Sequence, residues 1–150
     1  AQQWTALFEA DWTNWSRFRE LRVVAENLLQ PDDVTLANWE DSWFGSVGVE
    51  YRHNDQWTFR AGAGVDQSPI PDATRNPRIP DGHRTWVSVG FTLQVSQSLD
   101  LSASYAHLFL PDEPISLSQT QTGNDLRGNI DGMGEVGANF FGLQLTYRTN

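Results

Sequence analysis

Between Trp43 and Val65 the chain reads WFGSVGVEYRHNDQWTFRAGAGV, and a period of two residues runs through both halves of it. Trp43, Gly45, Val47, Val49 and Tyr51 share one face, against Phe44, Ser46, Gly48 and Glu50 on the other. After the polar turn Arg52-His53-Asn54-Asp55-Gln56 the alternation resumes, with Trp57, Phe59, Ala61, Ala63 and Val65 against Thr58, Arg60, Gly62, Gly64 and Asp66. Successive side chains of a strand point to opposite faces, so this stretch is a β-hairpin with one apolar and one polar side. Its aromatics sit at the ends: Tyr51 and Trp57 flank the turn, and Trp43 marks the far end. Aromatic girdles around an apolar band, on strands of about 9–11 residues, are the pattern of a lipid-facing hairpin.

The same period recurs along the chain. Trp4 to Trp12 sets Trp4, Ala6, Phe8, Ala10 and Trp12 against Thr5, Leu7, Glu9 and Asp11, and Thr13-Asn14-Trp15-Ser16 reads as a short turn. Phe18 to Glu26 is less clean, because Arg19 shares a face with Leu21, Val23 and Ala25 while Glu20, Arg22 and Glu26 lie opposite. A strand is the reading adopted there, and a soluble amphipathic helix also fits. Thr85 to Val95 carries Val87, Val89, Phe91, Leu93 and Val95 on its apolar face, and Leu99 to Leu110 carries Leu99, Leu101, Ala103, Tyr105 and Phe109. Ala138 to Arg148 closes the series, with Phe141, Leu143, Leu145 and Tyr147 against Gly142, Gln144, Thr146 and Arg148.

Three long polar connections are expected, at Asn27 to Asp41, Gln67 to Arg84 and Pro111 to Gly137. Pro69, Pro71, Pro77 and Pro80 stiffen the second and remove ladder donors from it. The fold class is therefore all-β, an antiparallel transmembrane β-barrel segment of about seven strands with short and long connections alternating. Short turns belong on the periplasmic side and long loops outside. An odd count puts the two sheet ends on opposite sides of the membrane, so the chain is expected to be incomplete at its start, with residues 1–150 forming one barrel segment.

Composition narrows the function. The net charge of -9, with all ten basic residues Arg, excludes nucleic acid as a partner. With no Cys there is no disulfide framework and no thiol chemistry. No apolar run is long enough for a transmembrane helix, and no signal peptide opens the chain, so an exported protein is expected in mature or truncated form. A barrel with a polar interior carries no such run.

No catalytic constellation emerges, and no cofactor is expected. His53, His83 and His107 are scattered, and Asp81-Gly82-His83 reads as loop punctuation rather than an acid–base pair. Asn129-Ile130-Asp131-Gly132 hints at a calcium loop without its downstream acidic ligand. The inward charges Glu9, Asp11, Glu20, Arg22, Glu50, Arg60, Asp66, Asp100 and Arg148 are the more useful set. Their simplest role is mutual pairing in a wet interior. The sharper one is that Arg60 or Arg22 meets a ligand carboxylate, since guanidinium binds carboxylates bidentately. Trp86 sits with the polar set of its strand and is expected to line the passage, whereas the other tryptophans read as an interfacial belt.

The runs Asp11-Trp12-Thr13-Asn14-Trp15-Ser16-Arg17-Phe18 and Glu50-Tyr51-Arg52-His53-Asn54-Asp55-Gln56-Trp57-Thr58-Phe59-Arg60-Ala61-Gly62 resemble the FadL family of Gram-negative outer-membrane long-chain fatty acid transporters. So do Asp66-Gln67-Ser68-Pro69-Ile70-Pro71-Asp72 and Pro77-Arg78-Ile79-Pro80-Asp81, and the likeness continues to Leu143-Gln144-Leu145-Thr146-Tyr147-Arg148. The resemblance implies the C-terminal half of a barrel of about fourteen strands, without the N-terminal hatch and early strands. The family's chains end on an aromatic residue after Tyr-Arg that feeds the barrel-assembly machinery, whereas Thr149-Asn150 follow here.

What the resemblance implies about function is passive outer-membrane transport of long-chain fatty acids or other hydrophobic molecules, with outer-membrane lipid and the barrel-assembly machinery as partners. One alternative is a soluble lipocalin-like binding barrel, in which the apolar faces turn inward. Another is a structural or receptor role, with the long loops docking phage or other cells.

Overall fold

The computed structural model of the chain describes residues 3–26, 31–79, 81–120, 124 and 128–149. In chain order the strands are β1 (Trp4–Thr13), β2 (Glu20–Val23), β3 (Asp33–Leu36), β4 (Ser42–Arg52), β5 (Trp57–Asp66), β6 (Arg84–Gln94), β7 (Leu99–Phe109), β8 (Glu113–Leu117), β9 (Ile130–Gly134) and β10 (Gly137–Tyr147). Six of them form one antiparallel sheet in the order β1-β4-β5-β6-β7-β10, while β2-β3 and β8-β9 are separate two-stranded ribbons.

The register is the one that alternation demands. Phe8 lies opposite Val47, Val47 opposite Ala63, Ala63 opposite Val87, and Val87 opposite His107, so one face continues across the sheet. Glu50 lies opposite Arg60, Arg60 opposite Gly90, and Gly90 opposite Ser104 on the other face. A slip of one residue would exchange the faces along a whole strand.

Large apolar side chains are bare on the first face: Phe8 is 80% exposed, Phe141 82% and Leu143 77%. Among the described residues the buried apolar set is only Ala37, Ile70, Leu108 and Ile115, too little for a soluble core. So broad an apolar face needs lipid or protein against it. Aromatics frame it at both ends. Trp4 and Tyr51 are in ring contact at 4.4 Å beside the short turns, and Trp12 pairs with Trp43 at the opposite end.

The expected strand over Phe18 to Glu26 is corrected. Only Glu20–Val23 is extended, and it pairs with Asp33–Leu36 outside the wall. The short turn expected at Thr13 to Ser16 is instead the start of a long connection, whose first step is the 3-10 turn Trp15–Arg17. That turn is anchored far along the chain: the Ser16 backbone N–H donates to Asp41 at 2.9 Å, and Trp15 and Phe18 both pack on Trp39. These ties return the chain to the end of the wall from which it left, so among the described residues no strand crosses between β1 and β4.

The wall therefore has six strands where about seven were expected. Its connections run long, short, long, short, long, and the long ones still share one end of the sheet. With an even count the first and last wall strands start and finish at the short-turn end, which removes the inference drawn from an odd number. The sheet is open, and β1 and β10 each keep an unpaired edge among the described residues. Parts of the expected first and third loops, at 27–30, 121–123 and 125–127, lie outside the described residues, as do Pro80 and Asn150.

Candidate ligand passage

The second face curves around an open trough of about 1130 Å³ whose lining includes Glu9, Phe44, Arg60, Trp86, Ser88 and Gln144. Strand parity delivers these side chains to one surface, and position along the strands sorts them. Toward the short turns, Arg60 on β5 donates from Nε to Glu50 on β4 at 2.8 Å and from Nη1 to Thr92 on β6 at 2.8 Å. Thr92 is in turn 2.8 Å from the Ser102 hydroxyl on β7, so one polar row crosses four strands. Arg60 Nη2 takes no partner among the described residues, and the Arg60 side chain is 46% exposed. At that exposure the Glu50 pair contributes at most about 1 kcal/mol, which a competing carboxylate can match.

Toward the long loops the trough becomes more aromatic, with Glu9 and Asp66 as the charged groups of its lining there. Trp86 on β6 lies across from Gly64 and stacks obliquely on Phe140 of β10 at 5.5 Å. A side chain at Gly64 would meet the Phe44 ring at 3.4 Å and the Ser46 Cβ at 3.2 Å, so glycine there keeps the groove beside Trp86 open.

A second cavity of about 790 Å³ lies under the loops, bounded by Trp15, Trp39, Ile70, Arg78 and Ile79. Phe44 and Asp66 line both cavities, so the two meet at the rim of the wall. The rim is held by charge: Arg84 reaches Asp66 at 3.0 Å and Asp81 at 3.5 Å, and Asp81 accepts from the Ser68 hydroxyl at 2.9 Å.

Of the expected site residues, Arg60 and Trp86 share the trough wall, at its polar and aromatic ends respectively. Arg22 is corrected: it lies on the β2-β3 ribbon, not on a lumen face, bonded to Glu20 at 2.9 Å and Asp32 at 3.3 Å. Its hydrogen bonds to those two carboxylates raise its already high pKa and occupy the guanidinium. Arg75 escaped sequence reading. It is 3% exposed, donating to the Asp81 and Pro114 carbonyls at 2.8 and 3.1 Å and pairing with Asp72 at 2.8 Å. It fastens the proline-rich loop to β8, and nothing local in Ala73-Thr74-Arg75-Asn76 signals such burial. Asn129 to Gly132 runs into β9 rather than a metal loop, and no acidic or histidine cluster with metal-binding geometry occurs among the described residues.

An apolar belt facing outward, aromatic girdles and a trough of polar and aromatic groups within define a section of the wall of an outer-membrane transport barrel. Comparison with known proteins agrees. Residues 1–149 match the family model described as outer membrane protein transport protein (OMPP1/FadL/TodX). The chain is 34% identical over 112 residues to a long-chain fatty acid transport protein of Escherichia coli O6:H1, covering 71% of this chain and 24% of that one. It is 29% identical to outer membrane protein P1 of Haemophilus influenzae, over 91% of this chain and 30% of the relative. The crystal structure of a Pseudomonas aeruginosa FadL homologue superposes with a TM-score of 0.85 at 32% identity, covering 98% of this chain and 33% of that one.

The chain belongs to the FadL family of Gram-negative outer-membrane transport proteins, which are transporters rather than enzymes. It spans about a quarter to a third of the length of these relatives.

Proposed function

We propose that this chain supplies six adjacent strands of a barrel to a transporter that passes long-chain fatty acids or similarly hydrophobic molecules across the outer membrane by diffusion. On this reading the remainder of the protein closes the two sheet edges, since unpaired backbone groups are not tolerated in lipid. The long loops face the cell exterior, and a ligand enters beneath them.

The observation that carries the reading is the joined pair of cavities meeting at Phe44 and Asp66. A tail moving from Trp39 and Ile70 to Phe44 and Trp86 keeps apolar contact, and a carboxylate then meets the free edge of Arg60. The long-chain fatty acid transport protein of Escherichia coli is a relative consistent with this ligand class.

Arg60→Ala in the full-length protein tests it. At the exposure of Arg60 a carboxylate contact is worth at most about 1 kcal/mol, so binding of fatty acids should weaken by up to about fivefold, with uncharged hydrocarbons unaffected. Equal loss for both ligand classes would assign Arg60 to holding the wall together through Glu50 and Thr92. Unchanged uptake of both would remove it from the passage.

A further inference from the structure

The outward face is not uniformly apolar. At the long-loop end of the last two wall strands, His107 on β7 lies directly opposite Asn139 on β10, both pointing to the lipid side. Tyr105, one outward position below His107, donates its hydroxyl to Asn139 Oδ1 at 2.7 Å. His107 Nδ1 lies 2.8 Å from the same oxygen, which has no proton to give, so Nδ1 carries the hydrogen and donates. Aromatic rings hold the group above and below: Phe109 against His107 at 4.1 Å and Phe141 against Tyr105 at 5.1 Å.

Accounting for the donors decides what this cluster can take. Both protons that converge on Asn139 Oδ1 are used. Asn139 Nδ2, with two protons, has no partner among the described residues. The two outward N–H protons of Asn139 on this rim fit the oxygens of an anion.

The height of the cluster says where that anion belongs. The outward apolar run extends from Trp4 to Trp12 on β1, Trp43 to Tyr51 on β4, Trp57 to Val65 on β5, and Val87 to Val95 along β6 and just past it. On β7 it runs from Leu99 to Tyr105 and resumes at Phe109 beyond His107, and on β10 it covers only Phe141 to Tyr147. On β10 that is about two residues less, or about 7 Å along the strand at ~3.4 Å per residue. For a tilt of about 35–45° the apolar band is about 5 Å lower there. A lipid headgroup descends to that depth more cheaply than an amide stays unpaired in hydrocarbon.

We propose that Tyr105, His107 and Asn139 form a seat for the phosphate-bearing headgroup of an outer-leaflet lipid, on the lipid side of the β7-β10 pair. Tyr105 and His107 fix the orientation of Asn139 by donating to its Oδ1, and Asn139 Nδ2 donates to the phosphate oxygens. The placement in the outer leaflet rests on the long loops facing the exterior.

The test uses the full-length protein in a non-ionic detergent, with retained lipid read by native mass spectrometry after exposure to lipid A or to its dephosphorylated form. The natural protein should retain lipid A severalfold better than the dephosphorylated lipid. Asn139→Asp, nearly isosteric and repelling phosphate, should abolish that preference, as should the His107→Leu/Asn139→Leu pair, while His107→Arg should keep it. Equal retention of both lipids by the natural protein would overturn the proposal, and so would an unchanged preference in Asn139→Asp. Loop exposure on intact cells reports orientation separately, so a reversed barrel and an absent lipid seat give different results.

Discussion

Arg75 donates from Nε to the main-chain carbonyl of Asp81 at 2.8 Å while its Nη2 lies 3.4 Å from Glu113, so one buried guanidinium joins two of the long connections. Replacing it with Ala strands a half-buried carboxylate and two carbonyls. Removing one partner of a buried pair costs about 3–5 kcal/mol, and the cost here falls on the loop cap because the wall does not use Arg75. Arg75→Ala should leave the barrel folded but speed proteolysis between 67 and 83 at least about a hundredfold when cleavage follows local opening. An unchanged cleavage rate would show that Asp72 and Glu113 are not held by Arg75.

A pH dependence is expected where the first long connection is tied down. The Ser16 backbone N–H holds the Asp41 carboxyl below the usual carboxylate range. A carboxyl whose folded pKa is depressed contributes stability that is fully present above its unfolded value, near ~3.9, and is lost as pH falls through the folded value. Local opening around Trp15 and Trp39 should therefore increase below about pH 4, read by tryptophan fluorescence, and Asp41→Asn should flatten that profile. An identical profile in Asp41→Asn would assign the change to another group.

Topology makes a third expectation. Protease added to intact cells carrying the full-length protein should cut within 67–83 and spare the turn at 53–56. Cleavage confined to the short turns would invert the barrel.

The wall was legible in the sequence because each of its strands is bounded by turn residues and has one face that cannot be polar. Val47, Val49, Val87, Val89, Leu143 and Leu145 fix parity, and register follows from parity. Glu20 to Val23 misled for the opposite reason. It alternates like a wall strand, but it has only the four residues Asp33–Leu36 to pair with, and Asp41 and Trp39 turn the preceding chain back. Arg60 and Trp86 were legible from strand parity alone. Arg75 was not, because its burial is made by Asp81, Glu113 and Pro114, residues whose proximity no local pattern encodes. His107 and Asn139 share the parity of their apolar neighbours and pass as isolated polar residues until the β7-β10 register sets them side by side.

The central claim is that one face of this sheet meets lipid and the other a passage, and Ser88 and Val89 decide it. They are neighbours on β6, with Val89, 57% exposed, on the face shared by Ala61 and Val49, and Ser88 on the opposite face with Gly62 and Gly48. Spin labels placed at each position in the full-length protein, reconstituted in bilayers, can be probed with lipid-soluble oxygen and a water-soluble nickel chelate. Oxygen should relax the label at 89 strongly and the label at 88 weakly, with the chelate showing the reverse, and Val89→Arg should cost roughly 2–4 kcal/mol if it lies near the midplane. Preferential access of oxygen to position 88 and of the chelate to position 89 would contradict the account and turn the sheet inside out.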